Sequence, residues 1–460
     1  MYTRADTITA IATAKGAAAL GIIRISGTAA GAVLDLVVPE AHAPSKPRRV
    51  IAATARSPRS GAPIDEVLCF YCAGPSTSTG ENTAEIHGHG GPVVMKKLLD
   101  ATLEAGARAA QPGEFTYRAF RNQRLDLTQA EAVMGLIGAQ SERAAHVAIR
   151  QLDGELGRTL ESQFDALIAV SAQIEAGLDF PDEDLPISEA EALVSQLVQV
   201  SDSLQKLHRS FALGARITEG ARIAIVGPPN AGKSSLLNRL VGEDRALVDA
   251  SPGTTRDVVE ARGEAEGIPL VFLDTAGLRK KAQRVEQRGM EKTLETAKTA
   301  DLVLLVLDGA NRDQTSSDAL SYLPALAAQN LLIAINKSDL PSWRQRTDLS
   351  FDAFPSPPPR VPVSALTGDG IPMLTETIAH RLGSDDDESA VMLTTARQAT
   401  AVYSCRSHVV KATELLKNRS ELELAAADLR LAREQLAALW GREATEDMLD
   451  AIFSTFCLGK

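Results

Sequence analysis

Cysteine is scarce in this sequence, with four among 460 residues. So few thiols exclude a disulfide framework and favour a reducing compartment. Long hydrophobic runs are also missing, since no uninterrupted stretch reaches the length of about 18 apolar residues expected of a membrane span. The N-terminal residues lack the continuous apolar region of a secretory signal. We therefore expect a cytoplasmic protein without a membrane segment.

Positive charge is in short supply as well, because 48 lysines and arginines stand against 59 aspartates and glutamates. The resulting net charge of −11 argues against a stand-alone nucleic-acid binder, which needs a broad basic surface to hold phosphates. If the chain acts on RNA, we expect a partner to hold most of that RNA.

Two short patterns could hold a metal, and neither is complete. Cys69 and Cys72 form a CxxC in a segment typical of a strand, where residues three apart point to opposite faces. We therefore predict packing roles for both, with a metal or redox pair as the alternative. His87 and His89 are expected to share one strand face, but no third ligand accompanies them. For this pair we favour turn and packing roles.

Four segments differ in their hydrophobic pattern. Residues 1–120 alternate short apolar runs with turns, which predicts an α+β domain. The pattern is helical in 121–215 and again in 383–460, whereas strands and helices alternate in 216–382, as in a doubly wound parallel sheet. Within that sheet, RGEAEGIPLVFLD predicts a hairpin with one antiparallel edge strand. The simplest organisation is a helical domain split by an inserted α/β domain.

The strongest motif is GPPNAGKSS at residues 227–235, which fits the phosphate-binding pattern G-x-x-x-x-G-K-[ST]. It lies between the strand-like RIAIV and the helical SSLLNRLV, as a P-loop requires. We expect the backbone around Gly232 to cradle phosphates, Lys233 to contact the β- and γ-phosphate oxygens, and Ser234 to bind Mg²⁺. The nucleotide contacts predicted in this loop are Asn230, Ala231, Gly232, Lys233, Ser234 and Ser235.

Four further motifs follow in the order found in GTP-hydrolysing proteins. GTTRD offers Thr255 as a second Mg²⁺ ligand, and DTAG follows it. In NKSD, the Asp339 carboxylate can accept hydrogen bonds from guanine N1–H and the 2-amino group, which predicts GTP over ATP. SAL is predicted to offer backbone amides to guanine O6. The nucleotide contacts assigned from these motifs are Thr255, Asp274, Thr275, Ala276, Gly277, Asn336, Lys337, Asp339, Ser364 and Ala365.

One part of the Ras-like site is missing. Leu278 follows Gly277 at the position where a Gln orients the attacking water in Ras-like enzymes. A leucine side chain forms no hydrogen bond. If the chain hydrolyses GTP, other groups must hold the water and neutralise the charge of the transition state.

The motif order and the flanking segments together resemble the MnmE (TrmE) family of TrmE/Era-like GTPases from end to end. The flanks that carry the resemblance are TGEN, GHGG, PGEFTYRAF, LDLTQAEAV, LDFPDED and the terminal CLGK. The implied fold is an N-terminal α+β folate-binding-type domain, an α-helical domain and an inserted Ras-like P-loop GTPase domain. The resemblance also implies K⁺ beside the phosphates, held by Asn230, Asp249, Ser251 and Thr254, and Glu286 as the residue that orients water.

The same resemblance implies a tetrahydrofolate site. The family's folate contacts fall on Arg24, Glu81, Arg124 and Lys460, with Arg121 as the alternative to Arg124. A carboxylate suits the N–H edge of a pterin, and cations suit the glutamate tail. Cys457, in the terminal CLGK, is a candidate catalytic residue, with a structural role as the alternative.

The function implied by the resemblance is a K⁺-stimulated, Mg²⁺-dependent GTPase that acts as a homodimer. With an MnmG-type FAD protein it would install an aminomethyl or carboxymethylaminomethyl group at C5 of the wobble uridine of certain tRNAs. The carbon would come from a tetrahydrofolate derivative, either 5,10-methylene- or 5-formyl-. The partner would hold most of the tRNA, in agreement with the acidic chain. The rival hypothesis is a ribosome-assembly or signalling GTPase whose flanking modules are not catalytic.

Overall fold

The computed structural model describes residues 6–179, 187–242, 261–273, 297–310, 330–343, 357–383, 391–418, 421–442 and 444–459. The chain forms two compact units. The first comprises Met1–Met134, Gln151–Leu197 and Ser407–Lys460, and the second comprises Gly135–Arg150 and Val198–Arg406.

A six-stranded sheet forms the N-terminal part of the first unit. Its strands are β1 (Ile8–Ile11), β2 (Gly21–Ser26), β3 (Ile51–Arg56), β4 (Pro63–Cys72), β5 (Thr83–Gly88) and β6 (Arg108–Ala109). They lie in the order β3-β4-β5-β2-β1-β6. All neighbours are antiparallel except β1 and β6, which are parallel.

Helices α1 (Ala30–Val37) and α2 (Pro92–Glu104) cover one face of this sheet. Side chains alternate along a strand, so Ile23 and Ile25 enter the core beneath the helices. Arg24, which lies between them, therefore belongs to the opposite face. That face carries polar side chains, including Glu85, which accepts a hydrogen bond from Arg24.

Helices make up the rest of the first unit, and several of them extend into the second. They are α3 (Glu114–Arg121), α4 (Leu127–Gly138), α5 (Glu142–Leu152), α6 (Glu155–Asp179), α7 (Ile187–Glu219), α10 (Ala396–Asn418), α11 (Leu422–Trp440) and α12 (Glu446–Phe453). Helices α6 and α11 pack through Phe164 and Trp440, whose ring centroids lie 5.6 Å apart. Thr445 caps α12 by accepting the Met448 N–H.

The second unit contains a six-stranded sheet. Its strands are β7 (Ala221–Val226), β8 (Ala261–Ala265), β9 (Ile268–Leu273), β10 (Leu302–Asp308), β11 (Leu331–Asn336) and β12 (Arg360–Pro362). They lie in the order β12-β11-β10-β7-β9-β8. Helices α8 (Lys233–Val241) and α9 (Ile371–Leu382) pack into its core. Every residue of β10 and β11 is buried, as expected for parallel strands covered on both faces.

The predicted hairpin is confirmed. Strands β8 and β9 are antiparallel, whereas the other neighbours in this sheet are parallel. The two-residue turn between them, Glu266 and Gly267, has φ values of 46° and 77°. Positive φ at both positions matches the twist of the flanking strands, which explains why the chain reverses there.

The predicted fold class agrees with the structure, which has an α+β N-terminal segment, helical segments and a parallel sheet. The domain boundaries near 120, 215 and 382 stay a prediction. None of the helices in the described ranges combines the length and hydropathy that a bilayer-spanning segment requires.

The predicted packing role is confirmed for Cys69 and stays a prediction for Cys72, and one of the two histidines lies outside the predicted strand. Cys69, on β4, is in the core, and burial raises the pKa of its thiol to about 11, whereas Cys72 is partly exposed. Strand β5 ends at Gly88, so His89 lies beyond the strand that carries His87. Within the described ranges, no group of three or more His, Cys, Asp or Glu side chains is arranged to hold a metal.

Candidate functional site

The loop between β7 and α8 has the geometry of a phosphate cradle. Gly227 and Gly232 adopt φ values of 141° and 91°, which favour glycine. A side chain at Gly227 would collide with the Val306 carbonyl, and one at Gly232 would collide with the Asn336 amide. Both glycines are therefore required by the path of the backbone. A bound polyphosphate fits a cradle of this kind.

Helix α8 begins directly after this loop, with Gly232 as its N-cap and Lys233 as its first residue. The first N–H groups of a helix have no partner within the helix and carry a partial positive charge. Ser234 and Ser235 lie in that first turn and are exposed. The helix end therefore suits an anion, and the exposed Ser234 hydroxyl is an oxygen donor of the kind that Mg²⁺ prefers.

Lys233 bends back over the loop. Its Nζ donates to the Gly227 carbonyl at 2.8 Å and to the Pro228 carbonyl at 2.7 Å. Burial lowers the pKa of this amine, because a charged group loses hydration inside the protein. A phosphate oxygen placed in the loop would restore a favourable environment for the ammonium.

Asn336 joins the phosphate loop to the SAL loop. Its Nδ2 donates to the Ala231 carbonyl at 2.9 Å, and its Oδ1 accepts the Ala365 N–H at 3.0 Å. The side chain is only 2% exposed. Asn336 is thus a brace between two loops, and the Ala365 amide is engaged with it. The contact of that amide with guanine O6 stays a prediction.

Asp339 and Lys337 are each held by one partner. The Ser364 hydroxyl donates to Asp339 Oδ1 at 2.7 Å, so the carboxylate of NKSD is tied to the SAL loop. Lys337 has a φ of 65°, and its Nζ lies 2.6 Å from Asp308 Oδ2. Asp308 ends β10 beside Asn336, so the edge of the sheet positions the lysine. Sequence reasoning missed Asp308, which has only its place at a strand end as a signal.

The rest of the predicted nucleotide site lies outside the described residues. This part comprises Asp249, Ser251, Thr254, Thr255, Asp274, Thr275, Ala276, Gly277 and Glu286. Asn230, the remaining predicted K⁺ ligand, is exposed in the phosphate loop with a φ of 62°. Its amide oxygen is a suitable donor for an alkali cation, so the residue present fits the predicted ion.

The residues predicted for folate lie in the first unit around β2. Arg24 Nε donates to Glu85 Oε1 at 2.9 Å. Glu81 Oε2 accepts from the Ser26 hydroxyl at 2.9 Å, and Ser26 is two residues from Arg24 on the same face of β2. Arg124 Nε donates to the Thr77 carbonyl at 3.1 Å, in the loop that carries Glu81. The strand and this loop together present a carboxylate and cations, as a folate requires.

The C-terminal segment packs against the same domain. Cys457 is exposed, and its carbonyl accepts the Gly113 N–H at 3.4 Å. A side chain at Gly459 would collide with the Ile11 carbonyl, so the chain passes close to β1. Lys460 lies outside the described residues.

A cavity of about 490 Å³ lies elsewhere on this domain. Its lining includes His87 and His89 but none of Arg24, Glu81 and Arg124. His87 Nε2 lies 3.0 Å from Glu85 Oε2, and His89 Nδ1 lies 2.8 Å from Asp65 Oδ1. The predicted packing and turn roles agree with these contacts. Glu85 nevertheless joins the cavity to a predicted folate contact, because it accepts from Arg24 through its other oxygen.

Comparison with known proteins accounts for nearly the whole chain. Residues 127–457 match the model of the MnmE helical domain, and residues 7–124 match that of the GTP-binding protein TrmE N-terminus. The tRNA modification GTPase MnmE of Syntrophus aciditrophicus is 40% identical over 99% of both chains. That of Akkermansia muciniphila is 41% identical, also over 99% of both chains.

Among solved structures, the FeoB G domain of Methanococcus jannaschii aligns with 35% of this chain and 97% of its own, at 24% identity and a TM-score of 0.27. This score is too low to support a conclusion. The two family models and the full-length relatives do support one. The chain belongs to the MnmE family.

Proposed function

We propose that this chain is a cytoplasmic GTP hydrolase that acts in the modification of the wobble uridine of certain tRNAs. With an MnmG-type FAD protein it installs an aminomethyl or carboxymethylaminomethyl group at C5, using a tetrahydrofolate one-carbon donor. The supporting observation is the end-to-end match to relatives named tRNA modification GTPase, combined with a complete phosphate cradle. The net charge of −11 supports a partner that holds most of the tRNA.

In the proposed site, each group of the chain has a separate task. The α8 N-terminus and Lys233 bind the phosphates, and Ser234 supplies an oxygen ligand for Mg²⁺. Asp339 accepts the two N–H donors on guanine, while Ser364 fixes the direction of the carboxylate. Bound Mg²⁺ would offset negative charge on the phosphates. Asn336 keeps the phosphate and base loops at a constant separation.

The catalytic help that Leu278 does not provide is assigned to a K⁺ site and to one glutamate. Asn230 would hold K⁺ together with Asp249, Ser251 and Thr254, which would place positive charge where other GTPases use an arginine finger. Glu286 orients the attacking water in place of the missing Gln. Two such domains meet in the proposed homodimer.

The proposed folate half uses Arg24, Glu81, Arg124 and Lys460. Glu81 accepts from the N–H edge of the pterin, and the cations attract the glutamate tail. Cys457 lies in the tail that packs beside this domain and is the proposed reactive thiol. GTP hydrolysis would drive a domain closure that organises the complex, while the carbon chemistry takes place in the folate half.

The test of the modification is mass analysis of tRNA wobble nucleosides from cells that lack this protein. Loss of the C5 substituent, restored by the wild-type chain, is the expected result. An unchanged nucleoside profile would remove the proposed function and leave a GTPase of another role.

The test of the hydrolysis mechanism compares KCl with NaCl. Turnover should be higher in KCl, because the smaller Na⁺ fits a K⁺-sized carbonyl cage poorly. Glu286→Ala should retain GTP affinity and lose at least about tenfold in kcat. Equal rates in the two salts would exclude the K⁺ mechanism, and unchanged kcat in saturating KCl would exclude Glu286.

A further inference from the structure

A partly buried network of charges joins the predicted folate contact Glu81 to four residues that have no assigned role. Arg118 on α3 lies 2.6 Å from Asp6, 3.0 Å from Glu81 and 3.1 Å from Glu114. Arg108 lies 2.6 Å from both Asp6 and Glu114. Arg118 is 5% exposed and Glu114 is fully buried. Charges are costly to bury, so a network of this kind needs a reason beyond packing.

The two arginines differ in one respect. Both bind Asp6 and Glu114, but of the two only Arg118 also reaches Glu81. Burial acts to lower the pKa of Arg118, and hydrogen bonds to Glu81, Asp6 and Glu114 raise it above its ordinary value. The Arg118 guanidinium therefore stays charged. Asp6 and Glu114 hold it in place while it binds Glu81.

Glu81 is anchored through one oxygen. Its Oε2 accepts from Arg118 Nη1 at 3.0 Å and from the Ser26 hydroxyl at 2.9 Å. Within the described part of the chain, Oε1 has no hydrogen-bond donor, and the side chain is 23% exposed. One oxygen is thus held by two donors, while the other has no donor among the described residues. This arrangement presents the carboxylate to a ligand in one orientation.

Helix α3 also supports the C-terminal tail. Gly113, its N-cap, has a φ of 69°, and a side chain there would collide with the Phe453 carbonyl. The Gly113 N–H donates to the Cys457 carbonyl at 3.4 Å. The helix that carries Arg118 therefore contacts both Glu81 and the segment that carries Cys457.

We propose that Arg118 is a positioning residue, which holds the Glu81 carboxylate so that it accepts the N–H edge of a pterin. The inference rests on the folate half of the proposed function. Arg118 does not touch the ligand. The N–H groups of its guanidinium connect Glu81 to Asp6 and Glu114. A lysine, as a single point charge, cannot reproduce this arrangement.

The experiment measures binding of 5-formyltetrahydrofolate to the full-length protein by calorimetry. Arg118→Lys should weaken the affinity at least about tenfold, because a charge-assisted hydrogen bond that orients Glu81 is lost. The matched control is Arg108→Lys, which disturbs the same buried network but not Glu81. Its affinity should stay within about twofold of wild type, even if both variants melt at a lower temperature.

A double-mutant cycle separates positioning from general loss of structure. Once Glu81→Gln has removed the carboxylate, adding Arg118→Lys should cause little further loss of affinity. Equal weakening by Arg108→Lys and Arg118→Lys, or full additivity in the cycle, would overturn the positioning role. GTP hydrolysis by Arg108→Lys should match wild type, because Arg108 lies in the first unit and does not contact Glu81.

Two outcomes distinguish the inference from the function on which it rests. If wild type does not bind the folate at high micromolar concentration, the folate half of the proposed function fails, and the inference fails with it. If Arg118→Lys does not fold, Ser26→Ala tests the same point by removing the other donor to Glu81 Oε2. An affinity loss below about threefold supports Arg118 as the anchor, and a larger loss assigns that role to Ser26 instead.

Discussion

The nucleotide site and the predicted folate site are built in different ways. The phosphate loop depends on backbone conformation: two glycines at positive φ and a helix that starts at Lys233. The residues around β2 depend on side chains brought together from distant segments, such as Arg118 and Asp6, which are 112 positions apart. A backbone-built site is a contiguous motif, whereas a site built by side chains is spread along the sequence. A substitution in the phosphate loop should therefore affect only its own surroundings. A substitution around β2 should also affect the residues that share its partners.

The largest effect is expected from Glu114→Ala. Glu114 is fully buried between Arg108 and Arg118, and its removal leaves both arginines short of a partner. The free energy of unfolding of the first unit should fall by about 3–5 kcal/mol in urea titrations. Glu104→Ala, an exposed residue of the same domain, should change it by less than about 0.5 kcal/mol. A matching loss of GTP affinity would show that the effect of Glu114→Ala is not confined to the first unit.

The phosphate loop should be most sensitive at Gly232. Gly232→Ala forces a side chain into positive φ, at a cost of about 1–2 kcal/mol, and against the Asn336 amide. GTP affinity, measured with a fluorescent GTP analogue, should fall at least about tenfold. Asn238→Ala, at an exposed position of α8, should bind normally. Normal binding by Gly232→Ala would show that the loop tolerates another backbone path.

Asn336→Ala tests whether one side chain matters within the backbone-built site. It removes hydrogen bonds to Ala231 and Ala365 and leaves both backbone groups without that partner, at about 1–3 kcal/mol. GTP affinity should fall with the melting temperature. The control is Asn330→Ala, adjoining the opposite end of β11, where Asn330 donates to the carbonyls of Asp301 and Arg381. That variant should lower the melting temperature and keep its GTP affinity, and equal affinity losses would refute the bracing role.

The smallest effect concerns Lys233. Burial lowers the pKa of its amine in the folded protein, so the unfolded chain binds more protons between the folded pKa and the ordinary lysine pKa. The penalty for burying the charge is complete below the folded pKa and disappears as pH rises through this window. Protein stripped of nucleotide should therefore gain stability with pH relative to Lys233→Met. The measurement is the melting temperature of both proteins from neutral to alkaline pH. If it changed with pH in the same way in both, the lowered pKa of Lys233 would be contradicted.

The sequence was sufficient for features with a local cause. GPPNAGKSS predicted the turn and the helix start because its glycines and its position between strand and helix are contiguous. The hairpin of β8 and β9 was predicted because its two strands and the turn between them, RGEAEGIPLVFLD, are contiguous in the sequence. The roles of Arg118 and Asn336 were not predicted, since burial and partners depend on packing between distant segments. Local sequence does not distinguish a buried arginine from an exposed one.

The bridge made by Asn336 has a consequence for ligand selection. Because one amide spans Ala231 and Ala365, the separation between the two recognition loops is determined by folding and not by the ligand. Such preorganisation favours molecules whose two ends match that separation and spares them the entropy of ordering the loops. A free guanine base or a free pyrophosphate engages one end only. We expect each to bind far more weakly than the intact nucleotide. The site therefore selects its ligand by length as well as by chemistry.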